Sequence, residues 1–168
     1  MIIRALAVIV ALTISTTSLV RAETLTLCGQ KVEYNPIAST SLNAGNLVGI
    51  WIGEIIAFNA AYSVDYSRCW ALAIEDVTAG GTIKSRLVLA DNTKNMHNGT
   101  RYGTQGRVLN WPGQLGPGGA TLHFASDDGR NSYDLQRQGE TKMEGKVVYP
   151  TGTGRLFLAK QQGDPGAG

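Results

Sequence analysis

The chain has 168 residues, 43% hydrophobic and 17% charged, with 15 basic and 13 acidic side chains, which is one domain by size and enough apolar content to bury a core. Two of the basic residues, Arg4 and Arg21, fall in a segment with the pattern of a removable leader, and without them 13 basic residues face 13 acidic ones. A role on nucleic acid or on an anionic membrane surface then loses its electrostatic basis.

Residues 1–22, MIIRALAVIVALTISTTSLVRA, join one early arginine to an apolar stretch over 5–14 and close on Val20, Arg21, Ala22. This pattern predicts a secretory signal peptide cleaved after Ala22. Its apolar core is shorter than the roughly 20 residues of a membrane span, and no cysteine stands at the cleavage position to carry a lipid. The remaining 146 residues are expected in the periplasm or outside the cell. Both cysteines, Cys28 and Cys69, lie in that part. In an oxidising compartment the default is one disulfide tying the N-terminal segment to a strand, and the alternative is a pair of free or redox-active thiols, for which the C-x-x-C spacing is missing.

Residues 23–46 read as an N-terminal strap: ETLTLCGQKVEY predicts a short strand with Leu25 and Leu27 on one face, broken at Asn35-Pro36, and 39–46 is loop-like. The chain is organised around 47–58, LVGIWIGEIIAF, which predicts the first strand of a barrel domain over 47–160. It is apolar on both faces, with Val48, Ile50, Ile52, Ile56 and Phe58 on one and Leu47, Trp51, Ile55 and Ala57 on the other. One face is core. The other needs a cover, supplied by the preceding segment, a partner subunit or an extra piece of chain. Gly49 and Gly53 flank Trp51 on its own face, where missing Cβ atoms allow sharp coiling.

Residues 59–68 read as a loop. A second strand over 69–77 places Trp70, Leu72 and Ile74 on one face, Thr78-Ala79-Gly80-Gly81 is a hairpin signal, and a third strand over 82–90 sets Ile83, Leu87 and Leu89 opposite Lys84 and Arg86. The polar stretch 91–104 is a candidate rim of a binding site, because loops carry function more often than strands do. A fourth strand is expected near 106–111, ending at Pro112-Gly113 before a turn over 114–119. The fifth, sixth, seventh and eighth are expected over 120–125, 131–137, 142–149 and 155–160, the last two separated by Thr151-Gly152-Thr153-Gly154. Residues 161–168 predict a disordered tail. Eight successive strands without an amphipathic helix predict an all-β fold, an eight-stranded antiparallel up-and-down barrel, with a sandwich as the alternative.

Gly49-Ile50-Trp51 resembles the G-x-W pattern at the start of the lipocalins and the wider calycin class, over roughly 47–160. The resemblance implies that a basic residue of the last strand, here Arg155, packs over Trp51, so that Gly49, Trp51 and Arg155 form a structural cluster. Lipocalins follow the barrel with a helix, and none fits after Lys160. The same architecture occurs in small bacterial envelope proteins that inhibit proteases or lysozyme and carry one disulfide, but their inhibitory motifs are not recognisable in this chain.

The chemistry-bearing residues are few. His123 stands on the opposite face of its strand from Leu122 and Phe124 and is expected to be solvent-facing or hydrogen-bonded; His97 has no second ligand at useful spacing, so no metal site assembles. Asp127-Asp128-Gly129 is the composition of a β-turn, and Asn98-Gly99-Thr100 is a turn before it is a glycosylation site. Glu54 faces outward as a solubilising charge or inward towards Arg86 or Arg155. Trp51, Trp70 and Trp111 belong to the core before they belong to a sugar-binding or hydrophobic surface. No nucleophile, acid–base pair, phosphate loop or cofactor motif is legible, so the chain is expected to be non-enzymatic and to need no cofactor. The expected activity is binding of a small apolar or amphipathic molecule, or of an envelope or extracellular protein, at one open barrel end through Tyr62, Tyr66, Met96, His97 and Tyr102. The alternative is a protein inhibitor or interaction module acting on a hydrolase, and a tightly filled interior would favour it.

Overall fold

The computed structural model describes residues 22–37, 44, 46–59, 64–90, 96–97, 100–101 and 106–162, with backbone alone at 58–59, 64–66, 96–97 and 100–101. Residues 1–21, which hold almost all of the expected signal peptide, the end of the chain from Gly163, and Tyr62 and Tyr102 lie outside the described residues.

The strap is a hairpin rather than one strand. Strands β1 (Glu23–Leu27) and β2 (Gln30–Tyr34) pair antiparallel across Cys28 and Gly29, whose φ values of 50° and 75° are those of a two-residue type I′ turn. The alternation of ETLTL and QKVEY buries Leu25, Leu27, Val32 and Tyr34 on one face. That face covers Ile50, Ala71, Ala73 and Val88 on the outside of the next three strands, so the preceding segment supplies the cover that the two-faced apolar strand requires. Cys28 at the hairpin tip is joined to Cys69 by a disulfide, which is expected of an oxidising, extracytoplasmic setting.

The barrel is built from β3 (Gly49–Asn59), β4 (Val64–Val77), β5 (Thr82–Leu89), β8 (Arg107–Leu109) with β9 (Gly113–Leu115), β10 (Thr121–Ala125), β11 (Ser132–Arg137), β12 (Lys142–Tyr149) and β13 (Gly152–Lys160). Each pairs antiparallel with its sequence neighbour, and β13 returns to β3. The result is a closed eight-stranded antiparallel barrel, which leaves no long strand edge exposed. Within the connection from β5 to β8, β6 (Met96–His97) pairs with β7 (Thr100–Arg101) around Asn98-Gly99.

Several expected boundaries move. The loop over 59–68 is largely strand, because β4 begins at Val64. The fourth strand does not end at Pro112-Gly113: β8 pairs Leu87 with Leu109 and β9 pairs Ile83 with Gly113, one unbroken register interrupted where Pro112 lacks an N–H to donate. Thr151-Gly152-Thr153-Gly154 is mostly strand, not separator. Gly154 is there because it approaches β3 closely; a Cβ would stand 2.7 Å from the Ala57 Cβ.

Inward positions alternate, with one register shift in β4 after Ile74: Trp51, Ile55 and Ala57 from β3, Trp70, Leu72, Ile74 and Val77 from β4, Ile83, Leu87 and Leu89 from β5, and Phe124, Leu135, Met143, Leu156 and Leu158 from the others form one buried cluster. Trp70 and Tyr133 come from β4 and β11, which face each other across the barrel, yet their ring centroids are 5.2 Å apart. Trp111 joins them at 5.6 Å from Tyr133. Side chains fill the lumen there, as eight strands permit.

Candidate functional site

Among the described residues, three regions of the surface carry polar chemistry. The first is the end of the barrel where the 47-to-51 entry meets β13. Trp51 is fully buried and its indole N–H donates to the Leu47 carbonyl at 2.9 Å. The cation over its ring is Lys160, with Nζ 5.5 Å from the centroid and donating to the Asn46 carbonyl. Arg155 instead lies outside, its guanidinium 4.8 Å from the Phe157 ring. Parity explains the correction: Arg155 is opposite Ile56 on the outward face, whereas Lys160 is opposite Trp51 at the strand's end. Gly49 belongs to the same cluster. Its φ is 135°, and a Cβ there would meet the Lys160 Cε at 2.9 Å, so the glycine leaves room for the lysine stem. Burial pushes the Lys160 ammonium below its usual pKa, with repulsion from Arg137 adding to this and Glu140 opposing it.

The second region lies under and beside the strap. Glu75, which no sequence signal beyond a charge inside an apolar strand marked out, is buried on the outer side of β4, its side chain 2% exposed. It accepts the Asn35 N–H at 3.3 Å and faces Lys84 Nζ at 3.1 Å and Arg86 Nε at 3.8 Å, while its backbone carbonyl accepts the Ile37 N–H at 2.7 Å. Arg86 also donates to Asn110 Oδ1 at 2.6 Å, across the interruption between β8 and β9. A cleft of about 310 Å³ opens there beside Lys84, Ser85 and Trp111.

The third region is the outer wall of β10 to β13. His123 is exposed and its Nδ1 lies 2.6 Å from Asp134 Oδ1 on the paired strand, in line with a hydrogen-bonded strand histidine. Asp134 is opposite Lys146, and Lys146 opposite Arg155. A groove of about 660 Å³ runs across these residues, and a second of about 550 Å³ lies on the far side of Phe157. Glu54 is exposed, accepting a hydrogen bond from Ser67 Oγ at 2.6 Å.

Asp128 makes the expected turn. It accepts from Ser126 Oγ at 2.6 Å and from the Arg130 N–H at 3.0 Å, and these bonds hold its carboxyl below the usual carboxylate range. Among the described residues no three His, Cys, Asp or Glu side chains converge as metal ligands.

Of the contact residues expected from the sequence, Tyr66 is on β4, and Met96 and His97 are β6. Topology brings the end of β3, the start of β4 with Tyr66 and the end of β5 to one end of the barrel. Tyr62 and Tyr102 lie outside the described residues. The outer grooves were missed because no motif marks them; the only trace in the sequence is a glycine inside each of two well-alternating strands.

No family model matches the chain, and no curated protein matches it. Among solved structures it is similar to a redesigned beta barrel, at 11% identity and a TM-score of 0.47, over 75% of this chain and 100% of that one. No helix among the described residues is long and apolar enough to cross a membrane.

Proposed function

We propose that this chain is an exported, non-enzymatic binding protein, lipocalin-like in its Gly49, Trp51 and Lys160 cluster, whose barrel is a scaffold and whose surface engages an envelope or extracellular protein. The observation that carries the reading is the 5.2 Å approach of Trp70 to Tyr133 across the barrel, which leaves an apolar cargo no room at that level. Tyr66, Met96 and His97, with Tyr62 and Tyr102, are the proposed contacts at the loop-bearing end. A hydrolase inhibitor is the second form of this reading, favoured by the β6–β7 hairpin, since a narrow hairpin suits a cleft.

Native mass spectrometry of the exported protein tests the choice between scaffold and carrier. The expected spectrum shows the mass of the polypeptide alone, unchanged in ligand content on denaturation. A small molecule that is present natively and lost on denaturation would overturn the scaffold reading and identify the cargo.

A further inference from the structure

We infer that the outer wall of β10 to β13 and its border with β3 form a binding site for a neutral glycan chain. This inference is independent of the protein-partner reading.

The site is indented by backbone. Gly145 and Gly53 occupy inward positions, and the neighbouring strands have closed into the space that a side chain would need. A Cβ on Gly145 would stand 2.0 Å from the Asp134 carbonyl oxygen, and one on Gly53 1.7 Å from that of Phe157. Each glycine lines one of the two grooves, so close-set backbone forms part of each floor and exposed side chains of the neighbouring strands form the walls. A ligand then meets a floor whose backbone part needs no ordering.

The lining matches a polyol. Asp134 and Glu144 balance Lys146 and Arg155 in charge, so the larger groove has no net field with which to select an ion. His123, Asp134, Gln136, Glu144 and Arg155 are planar groups, and together they offer donors and acceptors in pairs, which suits adjacent hydroxyls acting as both. Asp134 engages Nδ1 of His123 and so leaves Nε2 as the ring nitrogen for a ligand. Phe157 borders both grooves and is steadied by Arg155 at 4.8 Å; it is the apolar ridge on which the C–H face of a sugar ring can rest. Two dents on either side of one aromatic ridge suit a chain of sugars better than a single one. An apolar ligand would strand these polar groups without partners.

Affinity gel electrophoresis of the full exported protein tests the site, using hydroxyethylcellulose, arabinoxylan, galactomannan and glycol chitin as neutral chains and alginate as an anionic one. At least one neutral chain is expected to retard the protein. Phe157→Ala and the fully surface-borne Gln136→Ala are each expected to weaken that retardation by about tenfold, the loss of one good contact, with an unchanged melting temperature for Gln136→Ala. Retardation by none of the neutral chains, retardation by alginate alone, or neutral-chain retardation that survives both substitutions would each overturn the assignment.

Discussion

The barrel has two outer walls of opposite character, although both are made of alternating strands. On β3, β4 and β5 the outward residues Ile50, Ala71, Ala73 and Val88 are apolar and lie beneath Leu25, Leu27, Val32 and Tyr34 of the strap. On β10 to β13 the outward residues His123, Asp134, Gln136, Glu144, Lys146 and Arg155 meet water. The difference teaches that an antiparallel strand with one apolar face needs only the lumen, whereas one with two needs a second layer. The second layer is then held at both ends, by the Cys28–Cys69 disulfide and by Asn35 and Ile37 on Glu75.

Cutting the covalent tether should have the largest effect. With a sequence separation of 41, replacing Cys28 and Cys69 by serine is expected to cost about 4 kcal/mol in the chain-entropy account, measured by urea unfolding. A loss below about 1 kcal/mol would mean that apolar contact alone holds the strap. The two walls can next be compared at valines. Val88→Ala, beneath the strap, is expected to cost about 2 kcal/mol, while Val148→Ala on the bare wall, where the residue is 36% exposed, should cost under about 0.5 kcal/mol. Equal costs would erase the distinction.

The two cations of β13, Lys160 over Trp51 and Arg155 over Phe157, offer a finer contrast. Lys160→Ala should lose about 1 kcal/mol and shift tryptophan fluorescence, since it removes both the contact over Trp51 and the bond to Asn46. Arg155→Ala should lose less than half of that and leave the emission unchanged. The smallest effect is alkaline. Burial, with Glu23 and Glu75 nearby, raises the Tyr34 phenol from 10.0 to about 12, so the folded state holds its proton more tightly than the unfolded chain. The resulting stability is fully present below pH 10 and is lost as the pH rises towards 12, so none of it is lost at neutral pH. Absorbance at the phenolate band should show Tyr34→Phe losing one tyrosine from the late-titrating part of the curve.

Much of the wall pattern was legible in the chain before any contact was known. Period-two alternation set Trp70, Leu72 and Ile74 on one face, Ile83, Leu87 and Leu89 on another, and His123 away from Leu122 and Phe124. Turn chemistry marked Thr78 to Gly81 and Asp127-Asp128-Gly129. These are local properties, decided by the alternation of Cβ directions and by which residues tolerate a tight turn.

What local rules do not reach is decided between segments distant in sequence. Arg155 and Lys160 are both basic and both in the last strand, and only the register of β13 on β3 puts Lys160 over Trp51. Pro112 resembles a strand end, and only the continuous register on β5 carries the wall through it. Gly154 resembles a separator and Gly145 carries no local signal, and only the approach of a neighbouring backbone or side chain shows why nothing larger fits there or at Gly53. By itself the sequence determined most of the barrel strands, the faces of their residues and the cysteines available for a tether. Closure of the barrel determined what covers the second apolar face, that Trp70 meets Tyr133 across the lumen, and where the outer wall is dented, because each depends on pairings that short-range propensity does not encode.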